Sequence, residues 1–289
     1  MSGYKTFAVA GAGTIGKYII EELLKEKTTG KVDKVIILSR SATGNDDLTA
    51  KGAEVIVVDY NVPSSLQSAL QGIDVVISTL SWAGYPAQES LGDAAKAVGV
   101  KLFVPSEFGG DSIKHTEGVF GLKNAQRLRL EKIGLSWAVF ITGTFADWMW
   151  YQTYFDYDLA NGKIEVGGTG NGVTTFTSRT DIARYVAYAL TSLPASTLHN
   201  HVFKVEGERT SINAALKAYE ARTGKKIDIT YVPLEVVKER AKNNPADFKS
   251  FLALMFELDG PNEPKEEMNV EWPEFKPQTV VEAMLSYKP

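Results

Sequence analysis

Residues 7–16 read Phe-Ala-Val-Ala-Gly-Ala-Gly-Thr-Ile-Gly, and the reading of this stretch decides the fold. A short apolar run ends in G-x-G-x-x-G and passes at once into Lys17–Glu26, KYIIEELLKE, whose apolar residues recur at helical spacing. Strand, glycine turn and helix in that order form the context in which the motif binds a dinucleotide. Gly11 lets the chain turn sharply off the strand. Gly13 removes a side chain where a pyrophosphate approaches backbone, and Gly16 lets helix and strand lie close together. The free N–H groups and the positive end of the helix dipole, around Thr14 and Ile15, then face the phosphates.

Outward from this turn, Val35–Leu38, Val55–Val58, Val75–Ile77 and Leu102–Val104 are short, near-continuous apolar runs. Such runs suit strands buried on both faces of a parallel sheet. Helical segments at Asp47–Lys51, Ser64–Leu70 and Ala87–Val98 separate them, and helix Val119–Lys132 and strand Ser136–Ile141 continue the series. This alternation predicts an α/β protein: a Rossmann-type doubly wound parallel sheet with a smaller C-terminal α/β substrate-binding cap. The expected division is 1–141 plus about 176–206 for the nucleotide domain, and about 142–175 plus 207–289 for the cap. Beyond Thr142 the aromatic residues Trp148, Trp150, Tyr151, Tyr154, Phe155 and Tyr157 crowd together, ahead of a glycine-rich turn, GGTGNG, at Gly167–Gly172. A helix is expected at Asp181–Leu190, a strand rejoining the sheet at Val202–Val205, and a strand at Ile227–Tyr231. Further helices are expected at Ile212–Arg222, Leu234–Asn243, Phe248–Leu258 and Thr279–Leu285, with a loop at Gly260–Pro264.

Composition narrows the function classes. The 289 residues carry a net charge of −4, against the clustered basic excess of a nucleic-acid-binding surface. With no cysteine there is neither a disulfide framework nor a cysteine-based metal site, and His115, His199 and His201 fit no zinc spacing. No apolar run is long enough to span a bilayer, and no signal-peptide core is evident. The expectation is a soluble, cytoplasmic protein without nucleic-acid, membrane or metal partners. A homodimer is compatible with the sequence and is not read from it.

The end of the second strand indicates which nucleotide. In NAD-preferring sites an acid there bonds the ribose 2′-hydroxyl; here the chain reads Leu38-Ser39-Arg40-Ser41. Asp33 stands about the right count from the glycines but precedes the strand. Arg40 offers a planar fork for a 2′-phosphate, with Ser39 and Ser41 as further donors. One charge-assisted hydrogen bond of roughly 1.5–3 kcal/mol would favour NADP(H) over NAD(H) by about one or two decades. A solvated loop arginine is the alternative. Asp59, at the end of the third strand, either approaches the adenine or simply starts the Asp59–Pro63 turn.

The fifth strand leads into Pro105-Ser106-Glu107-Phe108-Gly109, and on the following helix Lys123 and Arg127 share a face. The glycine turn, VPSEFG at Val104–Gly109 and Phe120-x-x-Lys123-x-x-x-Arg127 resemble the isoflavone reductase-like branch of the atypical short-chain reductases, in the wider NmrA-like family. Gln88, Thr180-Asp181-Ile182-Ala183 and Gly224-Lys225-Lys226 extend the resemblance over nearly the whole chain. It implies an NADPH-dependent reductase of phenylpropanoid-type aromatics: isoflavones, lignans, phenylcoumaran benzylic ethers or allylphenol precursors. It implies Lys123 as the catalytic residue, a general base or proton relay beside the nicotinamide. Phe108 would lie near that ring, Ser78, Thr79 and Leu80 would line the cofactor channel, and Gln88 and Ser106 join the expected cofactor contacts. Two departures stand out. The first glycine of the short-chain reductase pattern falls on Ala10, and Val119 occupies the tyrosine place of Tyr-x-x-x-Lys.

The chemistry is also arguable from the residues. A hydride donor needs an electrophilic carbon and a group that manages the accompanying proton. A lysine near a cationic ring or Arg127, or partly desolvated, loses proton affinity and works nearer neutrality. It would take a proton from a substrate phenol and help expel a leaving group; hydride addition to the benzylic carbon of the quinone methide would restore aromaticity. Lys123 as a surface residue of an amphipathic helix is the plainer alternative. Phe145, Trp148 and Tyr151 are expected to form a stacking wall for a flat phenolic substrate, against the alternative that the rings are core. Glu107 and Asp111 are expected to brace their loop, with no catalytic role. The competing functions are quinone reduction and a non-catalytic, NADP(H)-sensing regulator on the same scaffold.

Overall fold

Eleven elements alternate along the first half of the chain: β1 (Thr6–Ala10), α1 (Gly16–Thr28), β2 (Lys34–Ser39), α2 (Asp46–Ala50), β3 (Glu54–Val57), α3 (Pro63–Ala69), β4 (Val75–Ser78), α4 (Ala87–Ala97), β5 (Leu102–Val104), α5 (Gly118–Lys132) and β6 (Ala138–Ile141). The structure is a computed structural model that describes residues 2–244, 246–258 and 264–287. Two units make up the chain: Met1–Ile141 with Ile182–Phe203, and Thr142–Asp181 with Lys204–Pro289.

In the first unit five strands form a parallel sheet in the order β3-β2-β1-β4-β5. A backbone bridge between Phe103 and Trp137 carries β6 alongside β5, and the strand His201–Lys204 pairs with β6. Residues 7–10 and 35–38 are wholly buried, which is why these strands read as unbroken apolar runs. Helix α1 turns Ile19, Ile20, Leu23 and Leu24 onto the sheet. A continuous core joins Ala8, Ile36, Val76, Phe103, Leu130 and Trp137. Ala10 stands in register with Leu38 on one side and Ser78 on the other. The strand order reverses direction beside β1, so the glycine turn leaves the sheet at the point where open α/β sheets bind ligands.

The second unit holds two small sheets. Glu208–Ser211 and Thr144–Phe145 flank Val173–Thr177, antiparallel and parallel respectively. Asp228–Val232 and Tyr157–Asp158 flank Lys163–Gly167, again parallel and antiparallel. Helices Ile212–Thr223, Leu234–Asn243, Phe248–Glu257 and Val280–Ser286 accompany them. Thr279 and Glu282 form a reciprocal capping box at the start of the last helix. Trp150, Phe155, Tyr157, Phe176 and Tyr219 share this unit's core. The strands Val173–Thr177 (VTTFT) and Glu208–Ser211 (ERTS) carry too little apolar alternation to be read from sequence. The loop expected at Gly260–Pro264 lies, except for Pro264, outside the described residues.

Candidate active site

The glycine turn has the backbone geometry that its spacing predicts at Gly11 and Gly16. Gly11 adopts φ +97° and its N–H donates to the Leu38 carbonyl at 3.2 Å. A Cβ at Gly16 would overlap the Gly11 carbonyl, so helix and turn touch only because none is there. A Cβ at Gly13 would meet nothing within 4 Å, leaving an open, exposed face beside the exposed Thr14. Ile15 is the N-cap of α1 and supplies no capping side chain. The turn is stapled from β4: Thr79 donates its hydroxyl to the carbonyls of Gly11 and Ala10 at 2.7 and 3.1 Å. Ser78 is fully buried, and its hydroxyl has no hydrogen-bond partner among the described residues.

Parallel register delivers the next residues to the same edge. Arg40 leaves β2 exposed, with no ion pair or hydrogen bond among the described residues, near the buried Tyr60. The Ser39 and Ser41 hydroxyls are engaged in the loop itself: Ser39 accepts from the Ser41 N–H, and Ser41 bonds Thr43 at 2.9 Å. Asp59 accepts the Asn61 N–H at 2.9 Å, so its carboxylate does start the turn after β3. Leu80 accepts the Ser106 hydroxyl at 3.0 Å, and Gln88 Oε1 accepts the Ser106 N–H at 2.9 Å. These two bonds tie together the ends of β4 and β5 and the start of α4.

Around Lys123 the loop after β5 closes in. A Cβ at Gly109 would stand 3.7 Å from Lys123 Nζ. Burial lowers the proton affinity of Lys123 below that of an ordinary lysine, and the Glu107 carboxylate opposes the shift. Arg127 is not the cause that its position on the helix suggested. Its guanidinium bonds Asn124 Oδ1, pairs with Glu131 at 2.7 Å and stands over the Trp137 ring. Glu107 braces the loop from within. Only 1% exposed, it accepts the Ser112 hydroxyl at 2.9 Å through Oε2, while Oε1 has no partner among the described residues. Burial pushes its carboxyl above the usual range, opposed by Lys123 and Ser112. Asp111 does brace the loop, accepting the Ile113 N–H at 2.8 Å. Phe108 is buried in a stacked series with Phe140 and Phe203, at centroid spacings of 6.2 and 4.7 Å.

In the second unit the aromatic cluster splits. Trp150, Phe155 and Tyr157 are core, with Trp150 Nε1 donating to the Ala146 carbonyl at 2.9 Å. Phe145, Trp148 and Tyr151 are half-buried. Phe145 meets Trp148 edge-on, whereas Tyr151 donates to the Met284 carbonyl at 2.7 Å and stacks on Tyr287. No cluster of His, Asp or Glu able to hold a metal ion occurs among the described residues, and none of their helices is long and apolar enough to cross a membrane.

The family model described as NmrA-like matches residues 4–283. The chain belongs to the NmrA-like family. Among NmrA-like relatives, an isoflavone reductase homolog from Nicotiana glauca is 27% identical over 270 residues, spanning 86% of this chain and 84% of that one. Eugenol synthase 2 from Clarkia breweri is 27% identical over 275 residues, with the same shares. A solved leucoanthocyanidin reductase–NADPH complex from Vitis vinifera superposes with a TM-score of 0.81 at 23% identity, over 98% of this chain and 99% of the other. An NADPH-dependent quinone oxidoreductase from Escherichia coli gives 0.78 at 19% identity, over 96% and 98%. These two structures share the Rossmann-type fold with this NmrA-like chain.

Proposed function

We propose that this protein is an NADPH-dependent reductase of a phenylpropanoid-type aromatic, with Lys123 as the group that handles the substrate's proton. The observation that carries this reading is the lysine itself: a desolvated amine beside Gly109, on the unit that bears the glycine turn, with its proton affinity lowered by burial. A lysine that only solubilised a helix face would be left in water. The names of the relatives, reductases and a eugenol synthase, support the same class of chemistry.

The residues present fit NADP(H). Gly13 leaves open the face that a pyrophosphate needs, the N-cap Ile15 of α1 supplies no capping side chain, and Arg40 carries a guanidinium with no ion pair or hydrogen bond among the described residues. On this reading Gly11, Gly13, Thr14, Ile15 and Gly16 hold the phosphates, Ser39 and Arg40 the 2′-phosphate, and Asp59 borders the adenine. Ser78, Thr79, Leu80, Gln88, Ser106 and Phe108 border the remainder, and Phe145, Trp148 and Tyr151 contact the aromatic substrate. Bound NADPH supplies the hydride. Lys123, its proton affinity lowered by burial, takes the proton of a substrate phenol at Nζ in its free-amine form and so helps release a benzylic leaving group.

The test is NADPH oxidation against a panel of lignans, isoflavones, phenolic esters and quinones, in wild type and Lys123→Ala. The variant is expected to lose roughly 10²–10⁴-fold in turnover with its NADPH affinity unchanged. Full turnover without Lys123 refutes its role. Tight NADPH binding with no substrate oxidising it points to the regulator instead.

A further inference from the structure

Three side chains of the first unit, on α4, just ahead of it and in the loop after β5, each carry a buried polar atom unpartnered among the described residues: Tyr85 at Oη, Gln88 at Nε2 and Glu107 at Oε1. Two of them have readable work. Gln88 ties Ser106 in place through its other amide atom, and Tyr85 lies against Gln88 and Glu107. Glu107 is different in kind. It is an acid with 1% exposure, and burying a carboxylate is expensive unless a charge of opposite sign answers it. Lys123 Nζ lies over the same loop, because one point, a Cβ at Gly109, would stand 3.7 Å from it and 3.9 Å from the Glu107 carbonyl oxygen. The charges that act on the Glu107 carboxyl are those of Lys123 and Arg127 from α5 and of Asp111 from its own loop, and the Tyr85 phenol feels Glu107 in turn. Arg127 is already paired with Glu131 and held over Trp137. Asp111 has the wrong sign. That leaves Lys123.

We propose that Glu107 is the positioning residue for Lys123: its buried carboxylate, held by Ser112, is the charge that lets the desolvated lysine carry a proton between substrate and solvent. This rests on the reading of Lys123 as the proton-handling group. Desolvation alone favours the free amine of Lys123, a form that accepts a proton but holds it less well through a turnover. A negative charge two residues before Gly109 stabilises the ammonium form at the moment it is generated. Because each partner favours the charged form of the other, the two titrate as a coupled pair. Ser112 matters because its hydroxyl donates to Glu107 Oε2 at 2.9 Å and so favours the ionised acid.

The sign of the effect follows. Removing the charge at 107 leaves only burial acting on Lys123, so the lysine releases its proton at lower pH. The experiment is an NMR titration of ε-¹³C-labelled lysine in the full chain with NADPH bound. The Lys123 signal is identified by its loss in Lys123→Arg. Glu107→Gln is expected to move the Lys123 midpoint to lower pH by about one pH unit, with the acid limb of kcat moving in the same direction. Glu107→Asp is expected to restore most of the midpoint. Ser112→Ala, a small change that does not touch the acid's carbon frame, is expected to shift it in the same direction by less, and supplies the answer if Glu107→Gln does not fold. An unmoved midpoint in folded Glu107→Gln, or in Ser112→Ala where that variant is the one that folds, overturns the proposal. The two readings fail separately. A shifted midpoint with turnover surviving Lys123→Ala sinks the catalytic role and keeps the coupling. An unmoved midpoint with Lys123→Ala inactive does the reverse.

Discussion

The chain contains two glycine-rich turns of six residues, Gly11–Gly16 and Gly167–Gly172, and they do opposite things. The first ends a parallel strand and opens a helix; the missing side chain at Gly13 faces open space. The second joins strands of two different small sheets, and its space is filled from within the protein. The N–H groups of Thr169 and Gly170 donate to the Glu257 carboxylate at 2.8 and 3.0 Å. A Cβ at Gly168 would stand 2.5 Å from Glu257 Cγ, and one at Gly170 would stand 2.6 Å from Asn213 Oδ1. Loops of this kind tend to aim backbone N–H groups at an anion. In the second the anion is the protein's own. Glycine content therefore does not mark a ligand site; what the turn leads into, and whether a side chain already fills it, does.

The same substitution made in each turn separates the two roles. Gly172→Ala is expected to have the larger effect, because the new Cβ would overlap the Phe256 carbonyl, a backbone atom with little freedom to retreat. Overpacking of this kind costs about 2–3 kcal/mol, read as a lower midpoint of chemical unfolding, with the NADPH affinity of the folded fraction unchanged. A wild-type unfolding midpoint would break the comparison. Gly13→Ala is expected to leave stability intact, since nothing lies within 4 Å of the added carbon. Its effect appears in calorimetric NADPH binding as a loss of roughly thirtyfold, about 2 kcal/mol of steric interference with the pyrophosphate. Undiminished binding would show that Gly13 is an ordinary turn residue. The smallest effect is expected at Arg40→Ala, a residue that is exposed and unpaired among the described residues. Removing one charge-assisted contact weakens NADPH by about 1.5 kcal/mol, roughly tenfold, and leaves NADH unaffected. An unchanged NADPH-to-NADH ratio would remove Arg40 from the nucleotide site.

What the sequence by itself determined is the half of the molecule governed by local pattern. β1, β2, β4 and β5 are short apolar runs because both faces are buried, and the helices between them carry 3.6-residue periodicity, so element type and order were both legible. Gly11, Gly13 and Gly16 could be assigned separate duties because strand, turn and helix are contiguous. In the second unit local pattern was weaker. The strand Lys163–Gly167 alternates Ile164 and Val166 inward over only five residues, and Glu208–Ser211 is polar throughout. Their strand character comes from partners distant in sequence. Charge relationships were the other quantity that only the tertiary structure decided. From spacing, Arg127 looked like the neighbour of Lys123 and Glu107 like a brace. Packing turned Arg127 toward Asn124, Glu131 and Trp137, buried Glu107 with one oxygen unpartnered among the described residues, and laid Lys123 Nζ over Gly109 of the same loop. Helical spacing predicts which residues share a face, but the desolvation and nearby charge that set a lysine's proton affinity depend on which loop folds back over that face.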